Sequence, residues 1–414
     1  MADTRTFVVV GGGLAGAKAV EALREQGFEG RLVLYGQEDH LPYERPPLSK
    51  DYLKTGEKLD EAFVHDQGWY DENGVELHLG TRVTAVDAGA HEVVTAAGEH
   101  AAYDRLLLST GSTPRRLELP GADLDGVLSL RTIEDADRLR AAIGAGRRVV
   151  LVGGGWIGLE VAAAAREAGA EVTVLEALDL PLVRVLGPKV AAVFADLHRE
   201  RGVDLRTSVT VAALEGDGGR VSGVRLGDGS VVPADVVVVG VGATPNVDLA
   251  REAGLEVGGG VVVDEQGRTS DPDVFAAGDI ADHPVPALGR RVRVEHWATA
   301  LNQPAAVAAG MLGRDGSYDE LPYFYTDQYD LGMEYIGLGS PEDDVVVRGD
   351  LDGREFLAFW LREGRVVAGM HVNVWDTIDD VKALIRSGAA VDRDALADPG
   401  TPLADLAGGT GSGG

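Results

Sequence analysis

Residues 147–177 read RRVVLVGGGWIGLEVAAAAREAGAEVTVLEA, and their reading decides the fold. A β-branched run meets a glycine turn, an alanine-rich stretch of helical composition follows, and a second β-branched run closes the unit. Residues 6–36, TFVVVGGGLAGAKAVEALREQGFEGRLVLYG, are a partial echo of it. In both, G-x-G-x-x-G lies between strand and helix, at Gly11, Gly13 and Gly16 and at Gly153, Gly155 and Gly158. Glycines let such a turn approach a pyrophosphate, whose charge then rests on a helix N-terminus. A lone match is weak; the strand before and the helix after give it weight. A chain that builds this cradle twice is expected to hold two dinucleotides and to pass electrons from one to the other.

Composition narrows the classes. At 414 residues the chain exceeds one ordinary domain, and roughly two to four are expected. The 45% hydrophobic content suffices for large cores. There is no cysteine, so the chain has no thiol for a disulfide, a thiolate metal site, an iron–sulfur cluster or a Cys-x-x-Cys shuttle, and no metal site is expected. No long apolar run marks a leader or a membrane span, so a soluble cytoplasmic protein is expected. A net charge of −29 speaks against a nucleic-acid partner.

In the first unit a strand is expected over residues 6–10. The acid expected about twenty positions after the glycines is missing from Leu34-Tyr35-Gly36, and Glu38, just beyond, is assigned to the ribose hydroxyls. In LPYERPPLSKDYL (residues 41–53), Pro46 and Pro47 make a stiff turn between Arg45 and Lys50. These are either two placed cations or, for Lys50, a solvated helix start. Period-two alternation then suggests a small meander before a buried strand at 105–109, which ends in Ser109-Thr110-Gly111. The segment 119–121 reads as a domain boundary.

The second unit has a strand expected at 149–152, a helix at 159–168 and a strand at 171–175 ending at Glu176. A carboxylate there accepts both ribose hydroxyls, and no Lys or Arg follows before Arg184, which favours NADH over NADPH. The apolar run in ADVVVVGVGATPN (residues 234–246) marks a strand covered on both faces. In RTSDPDVFAAGDIADH (residues 268–283), Asp279 after Gly278 is either a ribityl or ribose hydroxyl acceptor or a helix cap. An amphipathic helix is expected over 291–312 with Glu295-His296-Trp297 at its entrance, Trp297 being core or cofactor contact. A helix N-terminus aimed at a flavin would stabilise negative charge on the reduced ring. From Pro322 onward the pattern suggests an antiparallel sheet with Asp-Gly and Glu-Gly turns. A closing helix over 377–387, capped by Asp376, and a disordered tail complete it.

With these pieces assembled, the chain resembles the flavoprotein ferredoxin reductases of the putidaredoxin reductase and biphenyl dioxygenase reductase type, relatives of apoptosis-inducing factor. The resemblance covers nearly the whole chain. Its motifs are the first G-x-G-x-x-G, Tyr43-x-Arg45-Pro46-Pro47-Leu48-Ser49-Lys50, Ser109-Thr110-Gly111-Ser112-x-Pro114-Arg115 and Leu130-Arg131-Thr132. Residues 153–160, Gly240-x-Gly242-x-x-Pro245-Asn246, residues 269–281 and Phe324-x-Thr326-Asp327-Gln328 complete the set.

The resemblance implies an α/β fold with two Rossmann-like dinucleotide domains of glutathione-reductase type, for FAD and NAD, and a C-terminal α+β domain with an antiparallel sheet. It divides the chain into an FAD domain (1–117 and 244–321), an NAD domain (118–243), a reductase C-terminal domain (322–404) and a tail (405–414). It implies that Ala15, Glu38, Lys50, Val83, Arg131, Asp279 and Trp297 contact FAD, with Gly11, Gly13 and Gly16 at the pyrophosphate. Arg45, Thr110, Gly111, Gly278, Glu295 and His296 count with that site. Gly153, Gly155, Ile157, Gly158, Glu176 and Gly242 would contact NADH. Lys50 should lie beside the flavin and pair with Glu160, the two forming the catalytic pair.

Three departures stand out: Gln37 replaces the usual acid, Tyr323 and Tyr325 replace tryptophans of the electron exit, and Pro304 follows Gln303 where a bend is expected. The implied activity is NADH oxidation through FAD to a small iron–sulfur ferredoxin, which supplies a cytochrome P-450 type monooxygenase or a ring-hydroxylating dioxygenase. The chain would be a monomer or weak homodimer. The rival readings are an NADH oxidase or quinone reductase, and a redox-switched interaction protein without enzymatic function. Disulfide reductases of this fold need a cysteine, and none is present.

Overall fold

A computed structural model describes residues 3–407. The chain forms two compact units: Met1–Glu44, Leu59–Thr113 and Thr244–Tyr323 make the first, and Arg45–Lys58, Pro114–Ala243 and Phe324–Gly414 the second. The chain leaves the first unit after Thr113, ahead of the 119–121 segment. Residues 45–58, which carry Arg45 and Lys50, belong to the second unit although both flanking segments belong to the first.

The first unit is built on a five-stranded parallel sheet in the order Val274–Ala276, Arg105–Leu108, Thr6–Val10, Arg31–Tyr35, Val75–His78. Its central strand is apolar throughout because both faces are covered. Phe7 and Val9 join a core with Leu23, Phe28 and Met311, while Val8 and Val10 join another with Val83, Val86 and Val93. Helices Leu14–Glu25 and Trp297–Met311 pack on the first face, and the expected meander, Val83–Asp87, Glu92–Thr95 and His100–Ala102, on the second.

The helix expected from 291 begins only at Trp297, because Arg290–Val292 pairs as a strand with Ala281–Val285. It is less amphipathic than expected: Ala298, Thr299, Gln303, Val307, Ala308 and Met311 are all buried, and the helix runs on through Pro304.

The second unit holds a parallel sheet in the order Asp204–Arg206, Glu171–Leu175, Arg148–Val152, Val236–Val239, Val127–Leu128. The strand Glu171–Leu175 has the expected bounds, whereas the helix expected at 159–168 starts a turn earlier, as Trp156–Glu167. The same unit contains the antiparallel sheet Tyr323–Gln328, Leu331–Gly337, Arg365–Val372, Glu355–Arg362, Asp344–Asp350.

The closing helix is Ile378–Ser387, and its N-cap is Thr377; Asp376 sits outside it at φ 62° and is not the cap. Residues 405–407 finish a short helix, Leu403–Ala407. The rest of the expected tail lies outside the described residues. No helix among the described residues is long and apolar enough to cross a membrane.

Candidate active site: two glycine cradles and a buried lysine–glutamate pair

In the first cradle the glycines have separate tasks. Gly11 sits at φ +128°, and a Cβ there would lie 2.2 Å from the Ser109 carbonyl oxygen; a Cβ on Gly16 would lie 2.0 Å from the carbonyl oxygen of Gly11. The fold itself demands these two. A Cβ on Gly13 would meet nothing within 4 Å. Gly13 is also the N-cap of Leu14–Glu25, with no side-chain cap and no acid in the first turn. The helix therefore presents uncapped N–H groups and its positive dipole end to open space. A dinucleotide pyrophosphate fits that arrangement.

Around this cradle, Ala15 comes within contact range of Gly278: a Cβ on Gly278 would be 3.1 Å from Ala15 Cβ. The Gly278 N–H donates to the buried Gln303 Oε1 at 2.8 Å, a supporting group the sequence reading did not assign. Asp279 lies in the 3-10 turn Gly278–Ile280 rather than capping an α-helix. Arg293 donates to the Asp279 carbonyl at 3.1 Å and to Glu295 at 2.7 Å.

His296 is the N-cap residue of Trp297–Met311, and burial drops its pKa to about 4, against a small opposing pull from Asp279. Trp297 donates through Nε1 to Glu44 at 2.9 Å, a second group missed in the sequence. Glu38 accepts from the Tyr43 hydroxyl at 2.6 Å. Thr110 donates to the Asn246 carbonyl at 2.6 Å, and Gly111 accepts from the Asn246 N–H at 2.9 Å. Val83 is a core residue, 6% exposed.

The second cradle repeats the division of labour. Gly153 sits at φ +104° with a would-be Cβ 2.4 Å from the Gly240 oxygen, and a Cβ on Gly158 would be 2.5 Å from the Gly153 oxygen. Gly155, the N-cap of Trp156–Glu167, has ordinary clearance at 3.8 Å and no side-chain cap. Ile157, in the first turn, stands 47% exposed, unusual for a large apolar side chain here. Gly242 is at φ +101°, and its carbonyl accepts from the Arg115 N–H at 2.9 Å.

Glu176 accepts from the Gly154 N–H at 2.7 Å and the Leu178 N–H at 2.9 Å, which fixes its carboxylate at the lip of the turn. Arg206, on the neighbouring strand, bonds its carbonyl to the Glu176 N–H at 2.9 Å. Its guanidinium is paired with Asp204 at 2.7 Å. A search for bases downstream of Glu176 overlooks it, because sheet pairing rather than sequence proximity brings it there.

Glu160 lies two residues past Gly158 on the same helix and is 5% exposed. Its carboxylate accepts from Lys50 Nζ, from Thr326 Oγ1 at 2.6 Å and from Ser49 Oγ at 2.5 Å. The Lys50 ammonium also stands 5.3 Å from the centroid of the Tyr325 ring, which gives that tyrosine a cation-facing position. Tyr323, at the head of the same strand, is half-buried.

Nearby, burial raises the pKa of Asp327, with Lys50 pulling the other way and Glu160 adding to the rise. Arg45 donates to the Arg131 carbonyl, and the Arg131 N–H bonds Asp135 at 3.0 Å beside the Thr132–Asp135 capping box. Arg45 is thus a brace for the Leu130-Arg131-Thr132 turn.

A family model described as pyridine nucleotide-disulphide oxidoreductase matches residues 5–303, and one described as reductase C-terminal matches residues 323–407. The chain is 44% identical over 402 residues to the 5,5'-dehydrodivanillate O-demethylase ferredoxin reductase subunit of Sphingobium sp., covering 96% of this chain and 97% of that one. It is also 44% identical over 399 residues to the ferredoxin–NAD(+) reductase component of the anthranilate 1,2-dioxygenase system of Burkholderia cepacia, with coverages of 95% and 97%. Among solved structures, the covalent putidaredoxin reductase–putidaredoxin complex superposes with a TM-score of 0.94 at 37% identity, covering 98% of each chain.

Proposed function

The chain belongs to the pyridine nucleotide-disulphide oxidoreductase family, and we propose that it is an FAD-dependent reductase moving electrons from NADH to a small iron–sulfur ferredoxin. The observation that carries the reading is the buried Lys50–Glu160 pair on the helix of the second cradle, in a sequence without cysteine. Burying two charges costs several kcal/mol of desolvation. Three donors on one carboxylate beside a nucleotide cradle are the arrangement of a working site. Without a thiol on this chain, electrons have no disulfide to enter and are handed to an acceptor.

The geometry of each unit supports the following assignments. Gly11, Gly13 and Gly16 hold the FAD pyrophosphate on the N-terminus of Leu14–Glu25, with Ala15, Gly278, Asp279, Glu295, His296 and Trp297 around it. Gly153, Gly155 and Gly158 hold NADH, Ile157 and Gly242 flank it, and Glu176 accepts the adenosine ribose hydroxyls. Its carboxylate and the Asp204-bound Arg206 leave no free cation on these strands for a 2′-phosphate. When bound, FAD supplies the conversion of a two-electron hydride donor into single-electron transfers. Lys50 keeps a fixed positive charge beside the NADH cradle, and Glu160 holds its ammonium in one position.

The ferredoxin so reduced would serve a P-450 type or ring-hydroxylating oxygenase. An NADH donor implies a cytoplasmic setting, the chain acting as a monomer or weak homodimer. The test is steady-state turnover with NADH, a [2Fe–2S] ferredoxin and cytochrome c as final acceptor. Fast cytochrome reduction that requires the ferredoxin supports the reading; a rate no higher than the oxygen background rejects it.

A further inference from the structure

The Lys50–Glu160 pair is one end of a longer buried chain. His198, on the helix Val183–Glu200, is 0% exposed, as are Thr326 and Gln328. His198 Nε2 lies 2.9 Å from Gln328 Oε1, and Gln328 Nε2 donates to Thr326 Oγ1 at 3.2 Å. Thr326 in turn donates to Glu160 Oε1 at 2.6 Å. Thr326 and Gln328, two apart on the strand Tyr323–Gln328, share one face of it.

The chain has a direction. An amide oxygen only accepts, so His198 Nε2 carries the proton; Nδ1, with no partner among the described residues, is then the bare nitrogen. Burial keeps this imidazole neutral, with a pKa of about 4. Because the oxygen of Gln328 is engaged by His198, its NH2 group must face Thr326. Thr326 Oγ1 accepts there, so its single proton goes to Glu160. Every donor in the chain points toward the carboxylate. An amide does not hand protons onward, so the chain orients groups rather than conducting charge.

We propose that His198 is a positioning residue of the hydride-transfer site: by locking the amide of Gln328 it turns the Thr326 hydroxyl onto Glu160, which keeps that carboxylate aligned on Lys50. The inference rests on the reading of Lys50 and Glu160 given above. Without the His198 N–H, Gln328 is free to rotate its oxygen to Thr326. The hydroxyl then donates to Gln328, and Glu160 is left with Lys50 and Ser49. The charged groups acting on the neighbouring Asp327 are Lys50, Glu160, Asp51 and Lys54.

The experiment measures two quantities on the FAD-bound protein and its variants His198→Leu, His198→Gln and Lys50→Ala. One is the carbon-13 chemical shift of the Glu160 carboxylate at fixed pH, recorded on labelled glutamate and assigned with Glu160→Gln. The other is the rate of flavin reduction by NADH against pH. Loss of one charge-assisted hydrogen bond in His198→Leu should move the Glu160 carboxylate resonance and slow flavin reduction about tenfold. His198→Gln, whose NH2 replaces the Nε2 donor, should return the resonance to its wild-type position and the rate to within about twofold of the wild type.

The proposal is overturned if His198→Leu leaves both quantities unchanged, or if His198→Gln is as impaired as His198→Leu, which marks packing alone. If Lys50→Ala leaves flavin reduction unchanged, the reading of the site fails instead. The Glu160 carboxylate resonance does not depend on turnover and still decides the role of His198.

Discussion

Glu176 closes its carboxylate on the glycine turn of its own cradle, with Oε2 accepting from the Gly154 N–H at 2.7 Å. The same bond holds the turn in shape and fixes the acid at its lip, the position proposed for the ribose. Arg206 stands on the adjoining strand, its guanidinium held by Asp204. Replacing the acid by a base inverts the local charge. Glu176→Arg should therefore raise the kcat/KM ratio of NADPH to NADH by about 10- to 100-fold. Unchanged preference would place Glu176 away from the ribose.

Lys50 contributes a charge whose partner keeps other donors. In Lys50→Ala, Ser49 and Thr326 still bond Glu160, so the variant should fold. Single-turnover flavin reduction should slow by about 10- to 100-fold with little change in NADH affinity, the pattern of a group acting in the transition state. An unaltered rate removes Lys50 from the reaction.

The glycines of the first cradle separate fold from binding. Gly11→Ala places a Cβ 2.2 Å from the Ser109 oxygen at φ +128°, whereas Gly13→Ala points into open space. Gly11→Ala should destabilise the protein by about 3 kcal/mol or more through backbone strain and clash. Gly13→Ala should keep the melting temperature of the flavin-free wild type and lose FAD, read as the flavin-to-protein ratio after gel filtration. Full flavin content in Gly13→Ala would contradict a pyrophosphate at that glycine.

Two buried histidines set an acid limit. Burial holds His198 and His296 at about 4, below the 6.5 of an exposed imidazole. The unfolded chain therefore binds more protons between these values, and stability falls as pH drops from about 6.5 to about 4, by roughly 3 kcal/mol per histidine. Above pH 6.5 their contribution is constant. Melting temperature against pH should show the decline, and His198→Gln should make it shallower; a profile independent of His198 would show that it is not buried in its neutral form.

Much of the architecture is legible in the sequence because it is local. The strand at 6–10 is a largely β-branched run ahead of a glycine turn, and two covered faces explain why it does not alternate, whereas 171–175 alternates from an exposed Glu171 to buried Val172 and Val174. The glycine spacings are legible too, since the clashes that demand Gly16 and Gly158 arise within one strand–turn–helix unit, although those that demand Gly11 and Gly153 come from the distant Ser109 and Gly240. What escapes the sequence depends on pairing across the fold. Arg206 reaches Glu176 through sheet register, Glu44 meets the Trp297 indole 253 positions away, and His198 joins Glu160 only through two residues of a distant strand. The cap of the closing helix was misplaced by one residue, because Asp376 adopts a left-handed backbone that composition does not reveal.

In the proposed reaction, electrons taken from NADH leave singly to a ferredoxin. The most direct test reduces the FAD-bound protein with one equivalent of NADH under anaerobic conditions. It is then mixed with an excess of oxidised [2Fe–2S] ferredoxin while the flavin and ferredoxin absorbances are followed. Rapid flavin reoxidation with two ferredoxins reduced per FAD is expected, the stoichiometry of one hydride divided into single electrons. A flavin that stays reduced in the presence of ferredoxin and is reoxidised only on admitting oxygen or a quinone would contradict it.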